Sequence, residues 1–99
     1  MLTGKQKSYL RSLAHHYHSV MQIGKGGISQ NFIHTFEDAL EAHELVKVSV
    51  LPNCTESKST LSDTLCEMTN CDLVQIIGNQ MIFYRESTKK EKEERIKLP

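Results

Sequence analysis

The sequence predicts a single α/β domain in the order α-β-α-β-α-β-β, built around one four-stranded sheet. Three observations carry this. Short apolar runs recur near residues 19–23, 45–51, 73–77 and 80–85, the length and composition of strands. Between the first three runs, apolar residues return at helical spacing, so crossover helices separate those strands. The last two runs flank Gly78-Asn79, a two-residue glycine turn that reads as a hairpin. A chain of 99 residues supports one such core and not two.

Each element follows from its own residues. Thr3 to Tyr17 reads as a helix, with Leu10, Leu13, Ala14 and Tyr17 on the inward stripe. Lys7, Arg11, His15 and His18 fall on a separate stripe, and every charge on this helix has one sign. That arrangement forgoes the ion pairs a merely solvated helix uses. Ser19–Ile23 is a short strand, followed by the loop Gly24-Lys25-Gly26-Gly27. Ser29 is the expected N-cap of a helix to Ala42, with Ile33, Phe36 and Leu40 buried. In Leu45–Leu51 the alternation puts Val46, Val48 and Val50 on one face and Lys47 and Ser49 on the other.

Pro52–Ser59 is a polar loop. Thr60-x-x-Asp63 resembles a capping box and opens a third helix through Met68, with Leu61, Leu65 and Met68 inward. The closing hairpin is expected to supply an antiparallel edge. With only three helices, the sheet is expected to be covered on one face, leaving Gln22, Lys47, Ser49, Gln75 and Arg85 on the open one. Residues 1–86 form the domain, and 87–99 a charged, flexible tail in which Ile96 and Leu98 are able to dock.

The formal net charge is zero, but it is partitioned. No Asp or Glu precedes Glu37, while Lys5, Lys7, Arg11 and Lys25 give the first 36 residues a charge of +4. All twelve acidic residues follow, against eight basic ones. A neutral molecule can thus carry a positive face, and local fields steer ligands more than net charge does. No run approaches the ~20 apolar residues of a membrane span, and Met1–Lys5 does not begin a signal peptide. Cys54, Cys66 and Cys71 are odd in number and fit reduced thiols. The expectation is a cytoplasmic monomer without cofactor.

The glycine loop carries the most chemical information. Glycines remove the Cβ that would hold an anion away, and the unpaired N–H groups of a helix start point at whatever approaches. Lys25 adds a mobile cation at the tip. Rival chemistries fit poorly. The phosphate-binding signature G-x-x-x-x-G-K-[ST] is absent, so nucleotide hydrolysis is not expected. His15, His16 and His18 do not share one helix face, and the cysteines lack paired C-x-x-C spacing, so no metal is expected. A docking surface for a ribosomal protein or assembly factor, through Glu37, Asp38, Glu41 and Glu44, is the alternative reading.

The first 85 residues resemble the CRM domain, named for chloroplast RNA splicing and ribosome maturation, and in particular its stand-alone bacterial YhbY-like members. The matching segments are Leu2–Lys7 with Leu10-Arg11 and Ala14-His15, then Val20–Gly27. His43–Val48, Leu73–Gly78 and Tyr84-Arg85 follow in order. One departure is His18-Ser19, where the family pattern places a proline. The resemblance implies a mixed sheet similar to the C-terminal domain of initiation factor 3. It also implies RNA binding, and association with large-subunit ribosomal RNA or pre-ribosomal particles during ribosome biogenesis. The RNA-binding residues expected are Lys5, Lys7, Arg11, Gly24, Lys25, Gly26, Gly27, Ser29, Lys47 and Arg85.

Overall fold

The structure, a computed structural model, describes residues 2–19 and 21–99. Val20, expected in the first strand and part of the resemblance, lies outside the described residues, as does Met1. The elements are α1 (Gly4–Ala14), β1 (Met21–Ile23), α2 (Gln30–His43), β2 (Leu45–Val50), α3 (Lys58–Thr69), β3 (Asp72–Ile77) and β4 (Gln80–Tyr84). A short 3-10 turn at Lys92–Glu94 follows.

Capping residues set the helix starts. The Thr3 hydroxyl accepts from Gln6 N at 3.1 Å while Gln6 Oε1 accepts from Thr3 N at 3.0 Å, a reciprocal box. Ser29 caps α2 as expected, accepting from Phe32 N at 3.1 Å. The third helix starts earlier than the sequence suggests. Ser57, not Thr60, is the cap, and Thr60 N donates to its hydroxyl at 3.1 Å. This moves the buried stripe to Leu61, Leu65 and Thr69, one turn apart each time, and leaves Met68 56% exposed instead of inward. The first helix also ends three residues short of Tyr17, its continuation tightened into bonds from His15, His16 and Tyr17 to carbonyls three residues back.

The sheet order is β1-β2-β4-β3, with β1 parallel to β2 and β4 antiparallel to both its neighbours. The hairpin supplies an antiparallel edge as expected, and does so through its first strand: β4 inserts between β2 and β3, and β3 lies at the edge opposite β1. The contiguous run Met81-Ile82-Phe83-Tyr84 explains this, because a strand apolar on both faces belongs inside a sheet covered on both. Both faces are covered, not the one face expected from three helices. On one, Ile33, Phe36 and Leu40 of α2 and Leu61 and Leu65 of α3 pack on Val46, Val48, Met81 and Phe83. Phe36 meets Phe83 edge to face, with centroids 5.3 Å apart. On the other, Leu10 and Ala14 of α1 pack on Leu45, Val74, Ile82 and Tyr84.

A one-residue bulge at Val74 breaks the β3–β4 register, since Leu73 pairs with Phe83 and Gln75 with Ile82. Val74 is thereby buried beneath α1, next to Gln75. Burial pushes the Cys71 thiol up to about 12 and raises that of Cys66, as for packing residues rather than nucleophiles.

The charged C-terminal segment, expected as a flexible tail, has Ile96 and Leu98 packed against the α1 cluster. Its anchor is Glu44, fully buried at the α2 C-terminus with φ of 64°. One carboxyl oxygen accepts from Ser87 N at 2.8 Å and the other from Ile96 N at 2.6 Å. Beside it, Thr88 donates through its hydroxyl to Glu41 at 2.6 Å. That bond, more than the nearby Arg85 and Lys89 charges, holds the Glu41 carboxyl below its usual range. A lowered pKa stabilises the fold above the unfolded carboxylate range and loses its contribution as pH falls through that range. Glu41→Gln should therefore flatten the acid limb of a plot of Tm against pH. Superimposable limbs for the two proteins would show that the contact contributes nothing.

Candidate nucleic-acid interface

Cross-strand register defines a polar shelf. On the face that carries α1, Gln22 pairs with Ser49 and Ser49 with Gln80, at the end of the sheet where β1 runs into the glycine loop. The row behind it is Lys47, Ile82 and Gln75. Of the five residues expected on an open face, Gln22, Lys47, Ser49 and Gln75 share this one. The C-terminal end of α1 borders the shelf. Arg11, His15, Lys47 and Gln80 line a shallow cavity of about 90 Å³ there.

The structure orients these side chains through neutral partners. Arg11 donates to Gln75 Oε1 at 3.0 Å and to Ser8 Oγ at 3.3 Å. Lys47 Nζ donates to the Tyr17 carbonyl at 3.1 Å, and Ser49 Oγ to Ser19 Oγ at 2.8 Å. Neither cation is spent on a carboxylate, so each keeps its charge available to an anion. Lys7 sits one turn below Arg11 on the same helix face. Lys5, two positions from Lys7, lies on nearly the opposite side of α1 at ~100° per residue, so the structure does not bring it into the same cluster.

The loop at the end of the shelf is closed by Gly27 N donating to Gly24 O at 3.0 Å. Its glycines are there for different reasons. A Cβ on Gly24 would meet Leu51 Cδ1 and Asn53 Oδ1, both at 3.3 Å, so close packing against the β2–α3 loop leaves little room for one. Gly27 has φ of 65°, which strains any residue with a side chain, and a Cβ would lie 3.1 Å from Glu56 Oε1, so the backbone favours glycine. Gly26 has neither constraint, and nothing lies within 4 Å of the Cβ it lacks. Lys25 and Gly26 are exposed, and Ser29 stands where α2 begins with no acidic residue in its first turn. Ser29 satisfies one first-turn amide and leaves its neighbours without an intrahelical acceptor.

Arg85 belongs elsewhere. Tyr84 faces α1, so by strand alternation Arg85 faces α2 and α3, not the open face expected of it. Its guanidinium donates to Thr69 O at 2.7 Å and pairs with Glu37 at 3.6 Å and Glu41 at 3.5 Å. Arg85 is a tie between β4 and the two helices. The same contacts occupy much of the acidic surface: Glu37 and Glu41 hold Arg85, and Glu44 is buried. Sequence reasoning missed Glu56, whose carboxyl reaches the glycine loop from the Pro52–Ser59 segment; its distance in sequence hid it.

Among the described residues no helix is long and apolar enough to cross a membrane, and no three His, Cys, Asp or Glu side chains gather as a metal-ligand set.

The model of the CRS1/YhbY (CRM) domain matches residues 2–85. The "Probable RNA-binding protein YqeI" of Bacillus subtilis is 48% identical over 99 residues, all of both chains. A protein named "RNA-binding protein" from Haemophilus influenzae is 36% identical over 99% of this chain and 95% of its own. The solution structure of the hypothetical protein SAV1595 from Staphylococcus aureus matches with a TM-score of 0.80 and 55% identity, covering both chains completely.

Proposed function

The chain belongs to the CRS1/YhbY (CRM) domain family, and from that premise we propose that it is a non-enzymatic RNA-binding protein that grips the ribose-phosphate backbone. Phosphates approach over Gly26, where the fold leaves space that no packing or backbone requirement explains. That observation carries the reading. Lys25 pairs with a phosphate at the loop tip, with Gly24, Gly27 and Ser29 shaping the approach to the α2 amides. Lys47 and Arg11 continue the track across the shelf, and Lys7 extends it along α1, with Lys5 at its margin. Contacts of this kind give affinity and register without reading sequence.

The names of the relatives support RNA as the partner class. We assign the cytoplasm as the place of action and large-subunit ribosomal RNA, in assembling particles, as the target. Lys25→Ala tests the loop. It should weaken binding to unrelated RNAs about equally and lower the slope of log K against log salt by roughly 0.7 to 0.9, one phosphate contact. Unchanged affinity and slope in the folded variant would remove the loop from the interface. Crosslinking the protein in cells and sequencing the attached RNA tests the target, with fragments dispersed over unrelated transcripts counting against it.

A further inference from the structure

Beside the shelf, the connection between α1 and β1 and the start of β2 enclose a second recess. Tyr17, His18, His43, Leu45, Val46 and Lys47 line about 190 Å³, half open to solvent. That is below the ~300–1,000 Å³ that hold drug-sized ligands, so it suits a single small ring system. One tyrosine and two histidines are among its lining residues, beside two aliphatic ones. Lys47 lines both this recess and the cavity shared with Arg11 and His15, so the recess adjoins the cationic track. Lys47 gives one hydrogen to Tyr17 O, and an ammonium carries three, so two remain.

A small recess lined by a tyrosine, two histidines and aliphatic residues, sharing a lysine with a phosphate track, has the chemistry of a base pocket. Unstacked bases of single-stranded RNA are held against such rings and read by their polar edges. We propose that this recess takes one unstacked nucleobase of the bound RNA and prefers guanine. Guanine offers O6 and N7 as acceptors to a lysine ammonium, whereas adenine sets an amino donor against it at the same place. The proposal rests on the RNA-binding reading above. It adds a base preference to backbone contacts that have none.

The test uses the full chain with short single-stranded RNAs that differ only in one guanine or adenine. Isotope-labelled protein is followed in parallel with each nucleoside 5′-monophosphate. Wild type should bind the guanine oligomer roughly tenfold more tightly, and guanosine monophosphate should move the His18 and His43 ring signals more than adenosine monophosphate does. His43→Ala and His18→Ala, both at exposed positions, should each cost the guanine oligomer several-fold more affinity than the adenine one. Equal binding of the two oligomers by wild type, or a guanine preference that survives both variants, overturns the base pocket while leaving RNA binding intact. Failure to bind either oligomer overturns the RNA-binding reading and the pocket with it.

Discussion

Gly26→Glu should lower RNA affinity by roughly ten- to hundredfold, with no loss of folding stability. The first half of the expectation is electrostatic. A carboxylate at the loop tip would meet phosphate at contact range, and like charges brought together at an interface cost several kcal/mol. The second half follows from the local geometry. Gly26 does not have the positive φ of its neighbour Gly27, and no atom lies within 4 Å of an added Cβ. The substitution should therefore stay within the ~0.5 kcal/mol typical of exposed sites. Gly26→Ala isolates size from charge and should fall between wild type and Gly26→Glu in filter-binding or anisotropy titrations. If Gly26→Glu binds RNA as wild type does, phosphates do not pass over the loop. A fall in Tm would instead mean that the glycine has a structural duty.

Glu44→Ala should be the more damaging change to the fold, at about 2–4 kcal/mol. Two backbone amides, from Ser87 and Ile96, lose their acceptor, and an unsatisfied buried donor costs ~1–3 kcal/mol. The cost is limited because residues 87–99 can peel away and give their amides to water, which then forfeits the burial of Ile96 and Leu98. Glu44 also holds a φ of 64°, unfavourable for any residue with a Cβ by ~1–2 kcal/mol. Glu44→Gly relieves that strain while removing the same carboxyl group, so it should be more stable than Glu44→Ala. Denaturant midpoints rank the three proteins, and amide exchange at Ser87 and Ile96 reports the clamp directly. A Glu44→Ala midpoint equal to wild type would show that the C-terminal segment is not held through this residue.

The order and type of every main element can be read from the sequence because each rests on local pattern: valines alternating at 46, 48 and 50, Ser29 before an apolar stripe, and Gly78 at a turn that needs positive φ. The misplacements are non-local. Ser57 and Thr60 are both acceptable caps three residues apart, and only packing decides that Leu61, Leu65 and Thr69 face inward. The expectation of an open face counts helices without asking where α1 lies. The apolar continuity of Met81–Tyr84 argues for two covered faces, and an unbroken apolar run outranks that count. Arg85 goes to the wrong side because strand register changes a side chain's face with each residue. At the site, the glycine loop is visible as a motif, but the separate reasons for Gly24, Gly26 and Gly27 need coordinates. Glu44 reads as a helix end, and nothing local to it announces two amides some fifty positions downstream.

The placement of β4 has a consequence for biosynthesis. Because β2 meets β3 only through residues 80–84, a nascent chain that has emerged as far as α3 presents β2 with one flank unpaired. Closure depends on pairings between distant parts of the chain, which form slowly and leave apolar edges accessible in the meantime. Productive folding is thus deferred until residues 80–84 are available to pair, and a chain halted before Tyr84 would remain an unclosed, aggregation-prone intermediate.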